Sequence, residues 1–255
     1  MSAGVIERGR SHARMSRYAL WQLRDYAFER GLPTLLVGAL LLLATTIGIR
    51  ESFGAEWREL PVAGDIAETA FTAMLGTFAL LATILATNHV VANDRRRGYY
   101  RFLFAKPVRV ERFYAQAYLL NGAGFVVVVA LVMAGFSALL HPVWLPGAFA
   151  VAAGLYVALG GICFLASTLT RFDWLLAAAL WMLGRMLRAL YPAEHGPAAR
   201  VLDVLLPPVH MSDPVNRAFL AGELPPAGAL AWYLGYGLLA VMAGLLVLRS
   251  RSLAS

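Results

Sequence analysis

Long apolar runs, separated by short clusters of arginine, acid, proline and glycine, set the pattern of this chain. A hydrocarbon core about 30 Å thick takes roughly 20 mostly apolar helical residues. Six stretches meet that need: 32–49, 66–91, 117–140, 145–169, 172–191 and 227–248. The first is entered through Gly31 and Pro33 and stopped by Arg50 and Glu51; the second is stopped by Asn93, Asp94 and three arginines. From Phe113 to Thr170 there is no Asp, Glu, Lys or Arg. That run is too long for one span and long enough for two, and His141, Pro142 and Pro146 mark the turn between them. The fifth stretch begins after Arg171 and Asp173 and carries two arginines in its second half. The pattern predicts an all-α, polytopic membrane protein with six transmembrane helices in one domain spanning 1–255.

Two segments do not span. Over 10–30, an advance of 100° per residue gathers Arg14, Arg17 and Arg24 with Arg10, Trp21 and Phe28 on one side. Met15, Ala19, Leu20, Leu23, Tyr26 and Ala27 fill the opposite arc, which predicts an N-terminal amphipathic interfacial helix. Its arginines meet anionic headgroups while the apolar arc enters the acyl boundary. The Pro-rich stretch 192–226 has a helix start at Ser212-Asp213-Pro214 and a stop at Gly222. It reads as an outer re-entrant or capping segment.

Composition agrees with the span pattern. Of the 255 residues 60% are apolar and 15% charged, well below the quarter of charged positions usual in soluble domains. The net charge of +7 does not cover a folded surface, which argues against a nucleic-acid partner. Basic residues instead lie between spans, and they orient the chain. With the N-terminus inside, cytoplasmic segments collect roughly 16 of them against roughly 4 outside, so both termini are expected in the cytoplasm. Abundant Ala and Arg beside a single Lys suggest a GC-rich bacterial genome, and with it the bacterial inner membrane. The lone Cys163 lies in an apolar run and reads as a core residue.

The chemistry is mostly excluded. A phosphate-binding loop needs Gly-x-x-x-x-Gly-Lys-[Ser/Thr], and the only lysine, Lys106, sits between Ala105 and Pro107. The five histidines are dispersed, no His-Glu-x-x-His pair or Cys cluster exists, and no Gly-x-Ser-x-Gly elbow is present. No catalytic residue, no metal site and no cofactor in this chain are expected.

The positive signal lies between spans two and three. Segment 93–112 sets Asp94 before Arg95, Arg96, Arg97 and Gly98, then Phe102, Leu103 and Phe104, then Pro107 and Arg109. In that order it resembles the membrane subunits of ABC exporters of the ABC-2 type. In those proteins an acidic residue, basic residues and Gly follow the second span, then aromatic or Leu-rich positions, then Pro-x-Arg. Asp94 stands where Glu is frequent, and Tyr99 where Thr is common. An apolar knob among arginines suits docking into a groove of a separate ATPase, while the plainer alternative is a positive-inside anchor without a partner. The resemblance implies a non-catalytic permease with a second permease subunit, identical or related. It also implies two ATP-binding subunits that hold ATP and Mg, and the surrounding membrane lipid.

Inside the bilayer, Arg185 and Arg188 stand three apart on one face of span five. Three roles are open to them: snorkelling to outer phosphates, pairing with Glu68, or attracting an anionic substrate. Asn121, with Asn88 and His89, lies near the cytoplasmic ends of its spans, where an inner entrance and plain interfacial solvation compete. Gly154, Gly160, Gly161, Gly122, Gly124, Gly235, Gly237 and Gly244 suit close helix packing. A secondary transporter would need mid-membrane carboxylates and usually an internal repeat, neither of which is seen. A non-transporting membrane factor working with an ATPase is the other alternative.

Overall fold

The computed structural model describes residues 19–88, 90–92, 94, 109–142, 144–190, 201, 203–204 and 206–250. The longer helices there are α1 (Ala19–Phe53), α2 (Ala63–Thr87), α3 (Val110–Leu139) and α4 (Leu145–Leu169). They are followed by α5 (Asp173–Leu190), α6 (Ser212–Leu220) and α7 (Ala227–Ser250). No strand occurs among the described residues. Five of the helices, α1, α2, α3, α4 and α7, are long and apolar enough to cross a membrane. The sequence led us to expect six. The fifth expected span forms as α5, but its 18 residues include Asp173, Arg185 and Arg188, and this charge sets it apart from the other five.

Several boundaries shift for local reasons. The expected interfacial helix 10–30 and span 32–49 meet without a break: α1 is continuous over 35 residues, and residues 10–18 lie outside the described residues. Pro33 has no N–H to continue the regular ladder, and the wider π-turn Ala27–Gly31 precedes it, with the Leu32 N–H bonded to the Ala27 carbonyl. The Thr34 hydroxyl donates to the Arg30 carbonyl at 2.7 Å, so this carbonyl too keeps a partner. Of the expected apolar arc, Leu20, Leu23 and Ala27 are exposed and Tyr26 is buried, together with Gln22. Helix α2 stops at Thr87 because Asn88 turns to extended backbone, and α3 starts at Val110, seven residues before the expected 117.

At the centre lies α4. In its apolar window 72% of residues are buried, against 22% in α1 and in α7. The α4–α7 contact depends on bare backbone: a Cβ on Gly161 would collide with the Gly237 carbonyl, and one on Gly237 with the Val157 carbonyl. Small residues of this kind let membrane helices approach closely. Gly124 likewise makes room for the Tyr26 ring, and Gly244 for Phe164. Gly235 departs from that expectation, since nothing lies within 4 Å of where its Cβ would be.

One end of the bundle is capped by α6, which buries Val215 and Phe219, one turn apart, and leaves Asp213, Asn216 and Arg217 exposed. The Phe219 ring centroid lies 5.7 Å from that of Phe71, which meets Phe136 edge-on at 4.7 Å. The expected stop is present: Gly222 takes φ +69°, the left-handed region that glycine enters without strain. The expected start is present too: the helix begins at Ser212, whose Oγ lies 3.3 Å from Tyr233 Oη on α7.

Candidate functional site

A cavity of about 610 Å³ lies at the α6 end, between α2, α4, α5, α6 and α7. On α5 the spacing Trp181, Arg185, Arg188 follows one helical face, and all three residues reach the cavity. Gly184, on the same side, packs against Val209, which brings the turn before α6 close to α5. Arg188 Nη1 lies 3.3 and 3.2 Å from the two Asp203 oxygens, a charge-assisted contact between α5 and the segment leading to α6. Arg185 is exposed and makes no ion pair with a described residue. The side chains of Leu80, Val151 and Leu155 supply the apolar wall, and Asp213, Asn216 and Tyr233 join the polar one.

His210 packs beside this wall. Its ring meets Trp232 edge-on at 5.7 Å, and its Nδ1 lies 3.7 Å from Asp203 Oδ1. Burial holds the imidazole below its usual value. The Asp203 carboxylate opposes that shift and the Arg188 guanidinium adds to it.

Around Tyr156 several neutral polar groups are packed among rings. Tyr156 Oη donates to the Tyr118 carbonyl at 2.7 Å, and the Tyr156 ring lies 5.0 Å from Phe125 and 5.3 Å from Tyr118. Around them Gln22, Tyr26, Thr83 and Asn121 carry buried polar atoms that have no hydrogen-bond partner among the described residues. Tyr26 lies against Gly124, and one turn back along the two helices come Gln22 and Asn121, so both amides fall at one level. Farther along, Arg30 Nη1 donates to the Ala86 carbonyl at 3.1 Å, satisfying the last turn of α2 with a cation where the helix dipole favours one.

The expected site residues fall into separate groups. Asp94 is described, and it accepts a hydrogen bond from Tyr114 Oη of α3 at 3.1 Å. Arg109 is exposed and immediately precedes α3. Arg95, Arg96, Arg97, Gly98, Phe102, Leu103, Phe104 and Pro107 lie outside the described residues, as do Arg14 and Arg17. Trp21 and Arg24 are exposed on α1. The four residues considered for a substrate path do not meet: Arg185 and Arg188 line the cavity, Glu68 is exposed on α2 away from its lining, and Asn121 belongs to the buried neutral layer. The ionic partner of Arg188 is Asp203 rather than Glu68.

Sequence reasoning missed Trp181, Asp203, Tyr233 and Arg30. For Trp181 a signal existed, since it stands four and seven residues before the two arginines. Asp203 is separated from Arg188 by a Pro-containing stretch, and no periodicity links them.

Five helices long and apolar enough to cross a membrane, packed around α4, suggest a multi-pass membrane protein. Comparison with protein families, with characterised proteins and with solved structures finds no match.

Proposed function

We propose that the chain is the membrane-spanning permease subunit of an ATP-driven exporter of the ABC-2 type. In this reading α5 is the sixth span. Its 18 residues give a length of about 27 Å, close to the hydrocarbon thickness, and its arginines reach outer headgroups or the cavity. Both termini face the cytoplasm of a bacterial inner membrane, and the cavity at the α6 end opens outward. Two such subunits, identical or related, form the path, and two separate subunits bind and hydrolyse ATP. Segment 93–112 receives their motion, and the basic start of α1 contacts the inner leaflet or the ATPase.

The observation that carries the reading is the order Asp94, Gly98, Pro107, Arg109 after the second apolar helix, in a chain with no phosphate-binding loop. The hydrogen bond from Tyr114 to Asp94 supports it, because it ties the root of that segment to α3, so that a push on the segment reaches the bundle.

Affinity purification of the tagged chain from its native membrane in mild detergent tests the proposal. A stoichiometric nucleotide-binding partner is expected, with ATP hydrolysis that depends on this chain. Replacing Phe102, Leu103 and Phe104 together by Ser abolishes that association while the protein stays folded. A chain that purifies alone overturns the reading in favour of a secondary transporter or a stand-alone membrane factor.

A further inference from the structure

We infer that the cavity at the α6 end binds a zwitterionic amphiphile: a short head carrying one ammonium and one phosphate or carboxylate, joined to an apolar chain. This deepens the permease reading by naming a substrate class, and it rests on that reading for transport but not for binding. The argument begins with the charges. Arg185 of α5 and Asp213 of α6 both line the cavity, and neither forms an ion pair with the other or with any other described residue. The third charged residue of the lining, Arg188, is already held by Asp203 at 3.2 Å. Among the described residues one cation and one anion are therefore unpaired, on different elements of one cavity. A ligand with a single charge satisfies one and leaves the other beside it unmatched. A head with both charges satisfies both, and its net neutrality matches that of the wall.

The remaining lining sets the rest of the ligand. Leu80, Val151, Leu155 and Trp181 give an apolar surface reaching from α2 across α4 to α5. Such a surface takes a hydrocarbon chain and would be wasted on a free ion. The volume of about 610 Å³ falls within the range of roughly 300–1,000 Å³ typical of small-molecule sites.

The test is isothermal titration of the purified full chain in neutral maltoside micelles with three probes of equal chain length. These are n-dodecyl phosphoethanolamine, n-dodecyl phosphate and n-dodecylammonium. The zwitterion is expected to bind about tenfold more tightly than either probe of one charge sign. Asp213→Asn lowers its affinity to that of the phosphate, Arg185→Gln lowers it to that of the ammonium, and Arg185→Lys keeps the preference. Phosphoethanolamine without the chain does not bind. Both positions are exposed, so the variants keep a monodisperse elution profile. Equal affinity for the three probes, a uniform loss across all of them in the variants, or full binding by the headgroup alone overturns the inference. Charge-selective binding without any co-purifying ATPase keeps the site and removes the permease reading; an ATPase partner with no charge selectivity does the reverse.

Discussion

At the α6 end, charged side chains sit beside open volume; around Tyr156, neutral polar side chains sit among packed rings. The two regions show two ways of keeping polar groups inside an apolar bundle. Arg188 is offset by Asp203, the Ser212 and Tyr233 hydroxyls lie within hydrogen-bonding distance, and Arg185 and Asp213, unpaired among the described residues, are exposed. In the neutral layer only part of the demand is met. Tyr156 finds the Tyr118 carbonyl, yet Gln22, Tyr26, Thr83 and Asn121 keep buried polar atoms without a partner among the described residues. Such atoms cost stability in this arrangement. The layer therefore gains from any rearrangement of α1, α2 and α3 that pairs those atoms.

The largest expected effect comes from adding the same charge to both regions. Asn121→Asp places an unpaired carboxylate in the packed layer and is expected to cost about 3 kcal/mol or more. Asn216→Asp, on the exposed cavity wall, stays within about 0.5 kcal/mol. Thermal melts of the purified variants in one detergent measure both, and equal losses would erase the distinction. Asn121→Leu sharpens it from the other side. Removing the orphaned Nδ2 donor while keeping most of the side-chain volume stabilises the bundle by about 1 kcal/mol.

A smaller effect belongs to the pair Arg188–Asp203. Its side chains are 33% and 23% exposed, and solvent screening limits the coupling to about 1 kcal/mol. A double-mutant cycle with Arg188→Gln and Asp203→Asn measures it, and a coupling of zero would show that the cavity's charges are no better balanced than the layer's dipoles.

The smallest effect is a pH dependence. Burial holds folded His210 below its ordinary value of 6.5, so the unfolded chain binds the extra proton first as the solution becomes acidic. Stability is then lost as pH falls from about 6.5 through the lower folded value. Asp203 on one side and Arg188 on the other oppose each other in this shift. Melting temperatures between pH 7.5 and 5 follow it, and His210→Asn flattens that part of the curve.

How much of this was legible in the sequence varied with the range of the interaction. Helix α4 could be bounded from its flanks alone, because Pro146 opens it and Thr170-Arg171 ends it. The cap helix could be read from Pro214 and Gly222. The arginine face of α5 was legible from a spacing of three, but not its counter-ion, because Asp203 comes from beyond a turn that no periodicity describes. At α1 the signal misled. Gly31 and Pro33 look like a helix boundary, and a proline within the first turns of a helix is compatible with a start. Here the chain widens by one π-turn and continues. The inward packing of Gln22 and Tyr26 was not legible, because it depends on where α3 passes rather than on the pattern along α1.

That continuity makes α1 a shaft. Thirty-five residues at 1.5 Å each make a rod of about 52 Å, roughly 20 Å longer than the hydrocarbon core it crosses. Either the rod leans steeply or its first turns stand clear of the bilayer. In both cases torque applied near Trp21 is delivered along one unbroken axis past Gly38, which fits against Val132 and Phe78, to the far end at Phe53.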